Sequence, residues 1–158
     1  MIEARKVPKT GSGPSTVADL MRRDVVTVSP ATTVRELVDL LRRHGISGAP
    51  VVDQARRVVG MVSETDLMWL ADWFAEEPGS HGVRSRAAEH LEHVDEKTVG
   101  DVMTADVFGV GSRASLAELA AFFARTGLGR AVVLEDGKLL GIVSVIDLLG
   151  VLADRSET

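Results

Sequence analysis

The sequence predicts an α/β (α+β) fold in which two β-α-β-β-α repeats pack face to face as a pseudo-two-fold pair. Three observations support this prediction. Two stretches of about 50 residues resemble each other, each alternates short runs rich in Val and Ile with amphipathic helical segments, and each closes with the same seven-residue pattern. Because two repeats are too few to stack into a solenoid, we expect them to share a core.

The repeat is visible in twelve pairs of identical residues at an offset of 82, such as Met21 and Met103. The offset is 81 by Gly60 and Gly141. Since turns tolerate deletions, we place the lost residue in a hairpin, at Asp53–Arg57 or Glu135–Lys138. The recurring residues are Val17, Asp19, Met21, Asp24, Val25, Val28, Glu36, Leu37, Arg43, Gly45, Ala49 and Val51, which return as Val99, Asp101, Met103, Asp106, Val107, Val110, Glu118, Leu119, Arg125, Gly127, Ala131 and Val133.

Each copy begins with a strand and a helix. The strand is Val25–Val28 in the first copy, and the helix then opens on a capping box, Thr33-Val34-Arg35-Glu36 or Ser115-Leu116-Ala117-Glu118. Gly45 and Gly127 stand where glycine ends a helix. The residues predicted to face the core are Val34, Leu37, Val38 and Leu41 in the first helix and Leu116, Leu119, Ala120 and Phe123 in the second.

A hairpin and a second helix complete each copy. The hairpin strands are predicted at Ala49–Val52 and Val58–Val62, and again at Ala131–Leu134 and Leu139–Val143. We therefore divide the chain into a flexible arm (1–15), a first repeat (16–74), an inserted loop and helix (75–98) and a second repeat (99–154). Glu77-Pro78-Gly79-Ser80 predicts a turn in the insertion.

Composition restricts the class of protein. Apolar residues make up 45% and charged residues 26% of the 158 residues, as in ordinary globular proteins. The formal net charge of −5 disfavours nucleic acid as a partner. The chain has no cysteine, which excludes disulfides and thiolate chemistry. No stretch has the length and hydropathy of a membrane span or a secretory signal, so we expect a cytoplasmic protein that does not bind membranes.

The shared closing pattern is Gly, two apolar residues, Ser, two spacers and Asp, at Gly60–Asp66 and at Gly141–Asp147. In both copies it lies where a strand passes into a helix. The first N–H groups of a helix favour an anion such as phosphate, and Ser63 and Ser144 could donate to it as well. The alternative is structural, because Ser followed by Asp three residues later is also a helix-capping pattern.

Catalytic chemistry has little support in the sequence. The insertion holds a cluster that resembles metal ligands, but the charged residues around it have the pattern of a solvated helix face, and we predict no metal site. No nucleophile elbow or glycine-rich phosphate loop is present. The cluster consists of His81, Glu89, His90, Glu92, His93 and Asp95. We therefore predict that the protein is not an enzyme and requires no cofactor.

Several motifs together resemble the cystathionine-β-synthase (CBS) domain, in the tandem arrangement called a Bateman module. They are V-A-D-L-M and V-G-D-V-M at the repeat starts, H-G-I-S-G-A-P-V-V-D before the first hairpin, and the two closing patterns. The resemblance covers residues 17–153. It implies a regulatory module that binds an adenosyl ligand (AMP, ADP, ATP or S-adenosylmethionine) in clefts between the repeats, and it implies flat dimers.

The side chains suit such a ligand. One carboxylate can accept from both ribose hydroxyls, a role that fits Asp66 and Asp147. The segments 46–50 and 128–132 could form an apolar slot for adenine. With the resemblance, the predicted ligand-binding residues are Thr27, Ile46, Ser47, Ala49, Pro50, Ser63 and Asp66 in the first copy and Leu128, Gly129, Arg130, Ala131, Ser144 and Asp147 in the second.

The copies differ in ways that predict unequal pockets. Pro50 is replaced by Val132 and Thr27 by Gly109, while Arg130 has no counterpart in the first copy. Arg130 could neutralise a phosphate or simply extend along the surface. The alternative to a sensor is therefore a dimeric scaffold or interaction protein that binds no small molecule.

A homodimer is expected from the second helix of each copy, since a monomer would leave its apolar residues in water. These residues are Leu67, Leu70 and Phe74 in the first copy and Leu148, Leu149 and Leu152 in the second. Trp69 and Trp73 belong to the same predicted surface, and we expect the insertion at the edge of the dimer or against a helix of the partner. An unknown regulated protein is a further possible partner.

Overall fold

The structure, a computed structural model, describes residues 13–75 and 94–155. It is a mixture of helices and strands, as predicted. The helices are α1 (Val17–Leu20), α2 (Val34–His44), α3 (Glu64–Ala75), α4 (Val99–Val102), α5 (Leu116–Thr126) and α6 (Val145–Arg155). The strands are β1 (Gly48–Val52), β2 (Val58–Ser63), β3 (Gly109–Gly111), β4 (Arg130–Glu135) and β5 (Lys138–Ser144).

The long helices α2 and α5 have the predicted ends. Thr33 Oγ1 accepts from the Glu36 amide at 3.1 Å, and the Glu36 carboxylate accepts from the Thr33 amide at 2.8 Å. Ser115 and Glu118 form the same capping box at the start of α5. Both helices end on a glycine in the left-handed region, at φ of +62° and +68°. These capping signals fix the helix boundaries because each end satisfies its own free backbone groups.

The predicted apolar face of α5 is wrong at one position. Ala120 is exposed, whereas Phe122 is buried and packs edge to face on Phe123 with ring centroids 5.8 Å apart. The larger aromatic side chain buries more apolar area than a methyl group, so the buried stripe is centred on Leu119, Phe122 and Phe123.

The strand predicted at Val25–Val28 is wrong, because only Val28 bridges to β1. Its amide donates to the Pro50 carbonyl at 3.1 Å, and the Val52 amide donates to the Val28 carbonyl at 2.9 Å. A parallel ladder would next need the amide of residue 50, and proline has no N–H. In the second copy Val132 supplies that N–H, and β3 pairs with β4 over three residues.

The described residues form two compact units, which do not coincide with the sequence repeats. Among the described residues, one unit combines 13–23 with 109–135 and 140–155, and the other combines 24–75 and 94–108 with 136–139. The short segment that starts each repeat in the sequence therefore packs on the opposite repeat. The amides of Val17 and Ala18 donate to the carbonyls of Ala114 and Ser112, both at 2.9 Å.

The same arrangement occurs in the other unit. There the amides of Val99 and Gly100 donate to the carbonyls of Thr32 and Pro30, at 2.7 and 2.9 Å. Val17 and Val99 each enter the core of the unit they join, with no exposed surface. Burying these valines anchors the two segments that reach the strand–helix junctions.

One residue of the predicted dimer surface also lies in a core. Leu148 is 6% exposed and packs with Val143 and Leu119, so it cannot be part of an open patch. Leu149 and Leu152 on the same helix are about half exposed, at 50% and 51%. The inner and outer faces of α6 are thus separated by helical spacing. The side chains of Trp69, Trp73 and Phe74 lie outside what the structure describes.

Only the last residues of the predicted insertion are described. The Lys97 carbonyl accepts from the Val34 amide at 3.0 Å, and the Asp95 carboxylate binds Arg35 in a bidentate pair with contacts of 2.7 and 2.8 Å. Both contacts attach the end of the insertion to the first turn of α2. The predicted arm, apart from residues 13–15, and the predicted insertion helix lie outside the described residues.

Candidate functional site

The first strand–helix junction is built around the Asp66 carboxylate. Its Oδ2 atom accepts from the Ser63 amide at 2.7 Å and from the Ser63 hydroxyl at 3.2 Å. β2 ends at Ser63 and α3 starts at Glu64, so the carboxylate closes the beginning of the helix. An acceptor at this position also interacts favourably with the helix dipole.

The second junction repeats this geometry. Asp147 Oδ2 accepts from the Ser144 amide at 2.9 Å and from its hydroxyl at 2.7 Å, while Ser144 Oγ lies 3.2 Å from the Asp147 amide. The second copy therefore forms the full reciprocal cap, in which Ser144 also accepts from the helix, while in the first copy the cap consists of the hydrogen bonds from Ser63 to the Asp66 carboxylate. Capping uses only Oδ2, however, and it leaves the lone pairs of Oδ1 for other partners.

The Oδ1 atoms face the segments that start the opposite repeat, 17–22 and 99–104, which we call the crossing segments. The Thr104 hydroxyl donates to Asp66 Oδ1 at 3.3 Å, and an Arg22 guanidinium nitrogen lies 3.8 Å from Asp147 Oδ1. Arg22 and Thr104 each follow the methionine of the V-x-D-h-M motif, at the 82-residue offset. Sequence reasoning missed both residues, although their equivalent places in the repeat could have drawn attention to them.

Two glycines let these segments come close. A Cβ atom on Gly60 would lie 2.9 Å from the Thr104 carbonyl oxygen, and one on Gly141 would lie 2.6 Å from the Arg22 carbonyl oxygen. Reciprocal backbone hydrogen bonds hold the contact, from Arg22 to Ile142 and from Thr104 to Met61, at 2.8–2.9 Å. The glycine of the closing pattern therefore lets the neighbouring segment bring a side chain to the Asp that follows six residues later.

The segments predicted to receive adenine also reach the junctions. The Glu64 amide donates to the Ser47 carbonyl at 2.8 Å, and the Val145 amide donates to the Gly129 carbonyl at 3.0 Å. The structure thus groups the predicted residues by copy. One unit holds Thr27, Ile46, Ser47, Ala49, Pro50, Ser63 and Asp66, and the other holds Leu128, Gly129, Arg130, Ala131, Ser144 and Asp147.

Exposure divides these residues into two groups. The side chains of Ala49, Pro50 and Ala131 are buried in the cores of their units and support the strands. The remaining residues are half-buried or exposed, and their side chains or backbone can meet a ligand. They are Thr27, Ile46, Ser47, Ser63, Asp66, Leu128, Gly129, Arg130, Ser144 and Asp147.

An open cavity of about 320 Å³ lies beside the first junction. Ile46 and Ser47 line it, together with Arg42 and Glu64, which the sequence did not single out. Its apolar floor comes from Val38, Leu41 and Leu67, and Asp66 does not line it. The cavity is therefore next to the carboxylate rather than around it.

The predicted absence of a metal site concerns residues mostly outside the structure. His81, His90 and His93 are not among the described residues, and Asp95 is paired with Arg35. Within residues 13–75 and 94–155, no three His, Asp or Glu side chains converge as metal ligands would. The helices described in those ranges also include none with the length and apolar character to cross a membrane.

The repeated sequence with its two strand–helix junctions has a counterpart in a known family. The model of the CBS domain matches residues 17–71 and 99–154. The chain belongs to the CBS domain family. The family's two matches follow the sequence repeats, and the crossing segments that begin at Val17 and Val99 are the first residues of each match.

Individual CBS proteins are similar over most of the chain. CBS domain-containing protein CBSX1 of Arabidopsis thaliana, named chloroplastic, is 32% identical over 146 residues, covering 84% of this chain and 62% of that protein. The crystal structure of CBSX2 in complex with AMP superposes with a TM-score of 0.70 at 27% identity, covering 90% of this chain and 99% of that one.

Enzymes also contain similar segments. Inosine-5'-monophosphate dehydrogenase of Korarchaeum cryptofilum is 36% identical over 127 residues, covering 80% of this chain but only 22% of the enzyme. The match therefore concerns a small part of that protein. The chain likewise spans about three fifths of the length of CBSX1.

Proposed function

We propose that this chain is a non-catalytic regulatory module that binds an adenosyl ligand, namely AMP, ADP, ATP or S-adenosylmethionine. The ligand is a regulatory signal rather than a cofactor. Asp66 and Asp147 accept from ribose hydroxyls, and Ser63 and Ser144 with the neighbouring amides interact with phosphate. The expected location is the cytoplasm, and the expected macromolecular partners are a second copy of the chain and a protein under its control.

The observation that carries this proposal is that the two oxygens of each carboxylate have different surroundings. Oδ2 of Asp66 and of Asp147 caps a helix, so the side chain is held rigidly without help from a ligand. Oδ1 takes no part in the cap, and the Asp147 side chain is 19% exposed. A fixed, partly exposed carboxylate oxygen is a suitable acceptor for a hydroxyl, because little side-chain entropy is lost on binding.

Similarity supports the class of ligand. CBSX2, which matches this chain over nearly its whole length, was crystallised with AMP. An adenine nucleotide is therefore the first ligand to test. S-adenosylmethionine is retained because it shares the adenosyl group with AMP, while the group on the ribose 5′ carbon is a methionine sulfonium instead of a phosphate.

The scaffold interpretation remains the second candidate, and one observation favours it. Three apolar side chains on α6 are exposed, Ile146 at 74%, Leu149 at 50% and Leu152 at 51%. They are spaced by three residues and form one stripe on the outer side of the helix. Such a stripe suits the pairing of two copies, and a scaffold would need this surface but no ligand.

The test must separate ligand binding from helix capping. Replacing Asp66 or Asp147 by Ala would remove the cap and lower stability under both interpretations. Asp66→Asn and Asp147→Asn are sharper, since the amide oxygen can still accept from Ser63 or Ser144. The amide NH₂ then takes the place of Oδ1 and cannot accept from ribose.

Calorimetric titration of the unmodified chain and both Asn variants with AMP, ADP, ATP and S-adenosylmethionine is the measurement. We expect binding by the unmodified chain and a loss of at least tenfold at the altered site, the size of one hydrogen bond to a charged group. Ligand at 100 times its dissociation constant should also stabilise the fold by about 2.7 kcal/mol. Absence of binding at millimolar concentrations, with an intact dimer, would leave the scaffold.

A further inference from the structure

The two junctions share their geometry but differ in charge. Arg22 lies beside Asp147 at the place where Thr104 lies beside Asp66. The distance of 3.8 Å is a loose ion pair, and the Arg22 side chain is 57% exposed. The guanidinium is therefore held near the carboxylate but can turn towards another anion without leaving the site.

Two further positions change the charge in the same direction. α3 begins with Glu64, whereas α6 begins with Val145. β1 begins with Gly48, whereas β4 begins with Arg130. Glu64 and Arg130 are exposed, and neither takes part in an ion pair with another described residue.

Backbone contacts keep these residues at their junctions. The Glu64 amide bonds to the Ser47 carbonyl, and the Gly129 carbonyl, next to Arg130, accepts from the first amide of α6 at 3.0 Å. Arg42 lines the same cavity as Glu64 and offsets part of its charge. Counted over these residues alone, Asp66, Glu64 and Arg42 sum to one net negative charge, and Asp147, Arg22 and Arg130 sum to one net positive charge.

We propose that the two junctions select adenosyl ligands of opposite charge. The Asp147 junction takes the anionic nucleotide, whose phosphate binds Arg22 and Arg130. The Asp66 junction takes a neutral or cationic adenosyl compound such as S-adenosylmethionine, whose sulfonium is compatible with Glu64. This inference rests on the proposed function and assigns a ligand class to each half of it.

The free energy of binding a phosphate should differ between the two junctions. Beside Arg22 it gains a charge-assisted hydrogen bond from a donor already present. Beside Glu64 it meets a like charge, which disfavours binding even where solvent screens the interaction. Adenosine has the same base and ribose without the phosphate, so the affinity ratio of AMP to adenosine isolates this difference at each site.

Single-site chains allow each junction to be measured alone. The Asp66→Asn chain retains the second junction, and the Asp147→Asn chain retains the first. Calorimetric titrations use AMP, adenosine and S-adenosylmethionine as probes. We expect AMP to bind about tenfold more tightly than adenosine to the Asp66→Asn chain, as one charge-assisted hydrogen bond predicts. In the Asp147→Asn chain AMP should bind no better than adenosine and more weakly than S-adenosylmethionine.

Exchange of the two crossing residues is the matched control. Arg22→Thr in the Asp66→Asn chain should remove most of the tenfold preference for AMP, and Thr104→Arg in the Asp147→Asn chain should create one. Both positions are exposed, and circular dichroism checks that each variant is folded. The preference created or retained by arginine should also weaken as salt rises.

The outcomes separate the two proposals. Binding with equal AMP-to-adenosine ratios in the two single-site chains, or a ratio that Arg22→Thr leaves unchanged, overturns the charge assignment while the adenosyl-binding function stands. Absence of binding by all three probes in the unmodified chain overturns the function and, with it, the assignment. A preference for AMP over adenosine that is present wherever the arginine is present, and absent where it is not, supports both proposals.

Discussion

Replacing Gly141 by alanine tests the close approach of the crossing segment to the end of β5. The added Cβ would lie 2.6 Å from the Arg22 carbonyl oxygen and 3.0 Å from the Met21 sulfur. A carbon and an oxygen in ordinary contact are about 3.4 Å apart, so the overlap is about 0.8 Å. Since the nearest atom belongs to the backbone, the segment itself must move.

The cost follows from the contacts of that segment. Overpacking costs typically 1–3 kcal/mol. The two hydrogen bonds between Arg22 and Ile142, at 2.8 and 2.9 Å, would also be strained, at about 1 kcal/mol each if lost. Replacing glycine within a strand returns about 0.5–1 kcal/mol of backbone entropy. The net loss is therefore about 2–3 kcal/mol, which corresponds to a fall of roughly 4–12 °C in the unfolding midpoint.

Gly150 is the matched control because a Cβ there meets nothing within 4 Å. It lies inside α6, so Gly150→Ala should stabilise the chain by roughly 0.5–1 kcal/mol. Differential scanning calorimetry of both variants gives changes of opposite sign if the close approach is real. Equal midpoints for Gly141→Ala and the unmodified chain would refute the reasoning.

Two further predictions concern assembly and acid stability. We expect a homodimer of about twice the 16.9 kDa chain mass by light scattering at micromolar concentration. Leu149→Glu should dissociate it by placing a charge in an apolar contact, while the exposed control Ala55→Glu should not; a monodisperse unmodified monomer would contradict this. Hydrogen bonds from Thr33 and Ser115 lower the pKa values of Glu36 and Glu118. Their stabilisation is present above the unfolded-state pKa and is lost as the pH falls below about 4, so Glu36→Gln should reduce the acid-induced drop in melting temperature.

Much of the fold could be predicted because its signals are local. The capping box at Thr33, the left-handed glycine at Gly45 and the apolar runs of the hairpins each act within a few residues. Helices and strands therefore begin and end within a residue or two of their predicted places. The predicted strand before α2 does not form because Pro50 has no N–H to donate to it. Pro50 lies more than 20 residues further along the chain, so the effect is not local.

The exchange of the short segments could not be predicted in the same way. Val17 and Val99 each start a repeat in the sequence, and nothing in a linear pattern says which repeat their side chains enter. The structure buries Val17 with Leu119 and Val99 with Leu37, each in the core of the opposite repeat. Long-range packing determines which repeat buries each valine, and sequence pattern and propensity carry no information on it.

That exchange also explains why the candidate site was only partly predicted. The Ser-x-x-Asp pattern is local and predicted a helix cap, which the structure shows with Oδ2 of Asp147 as the acceptor, while the ligand-binding interpretation stays a prediction. The partner of Oδ1 comes from the crossing segment, so it became visible only with the fold.

The helix cap and the proposed ligand contact place different constraints on the two oxygens of each carboxylate. Because Oδ2 must stay an acceptor to close the helix, Asp66 and Asp147 are constrained by stability even where no ligand binds. The side chains of Thr104 and Arg22 take no part in the cap: both residues are exposed, and each side chain contacts Oδ1 of the carboxylate. Under the proposed function, the side chains of the crossing segments can therefore change ligand preference while the aspartates and their caps stay the same. For this reason the residue after the methionine of V-x-D-h-M is the better place to look for differences in ligand between otherwise similar chains.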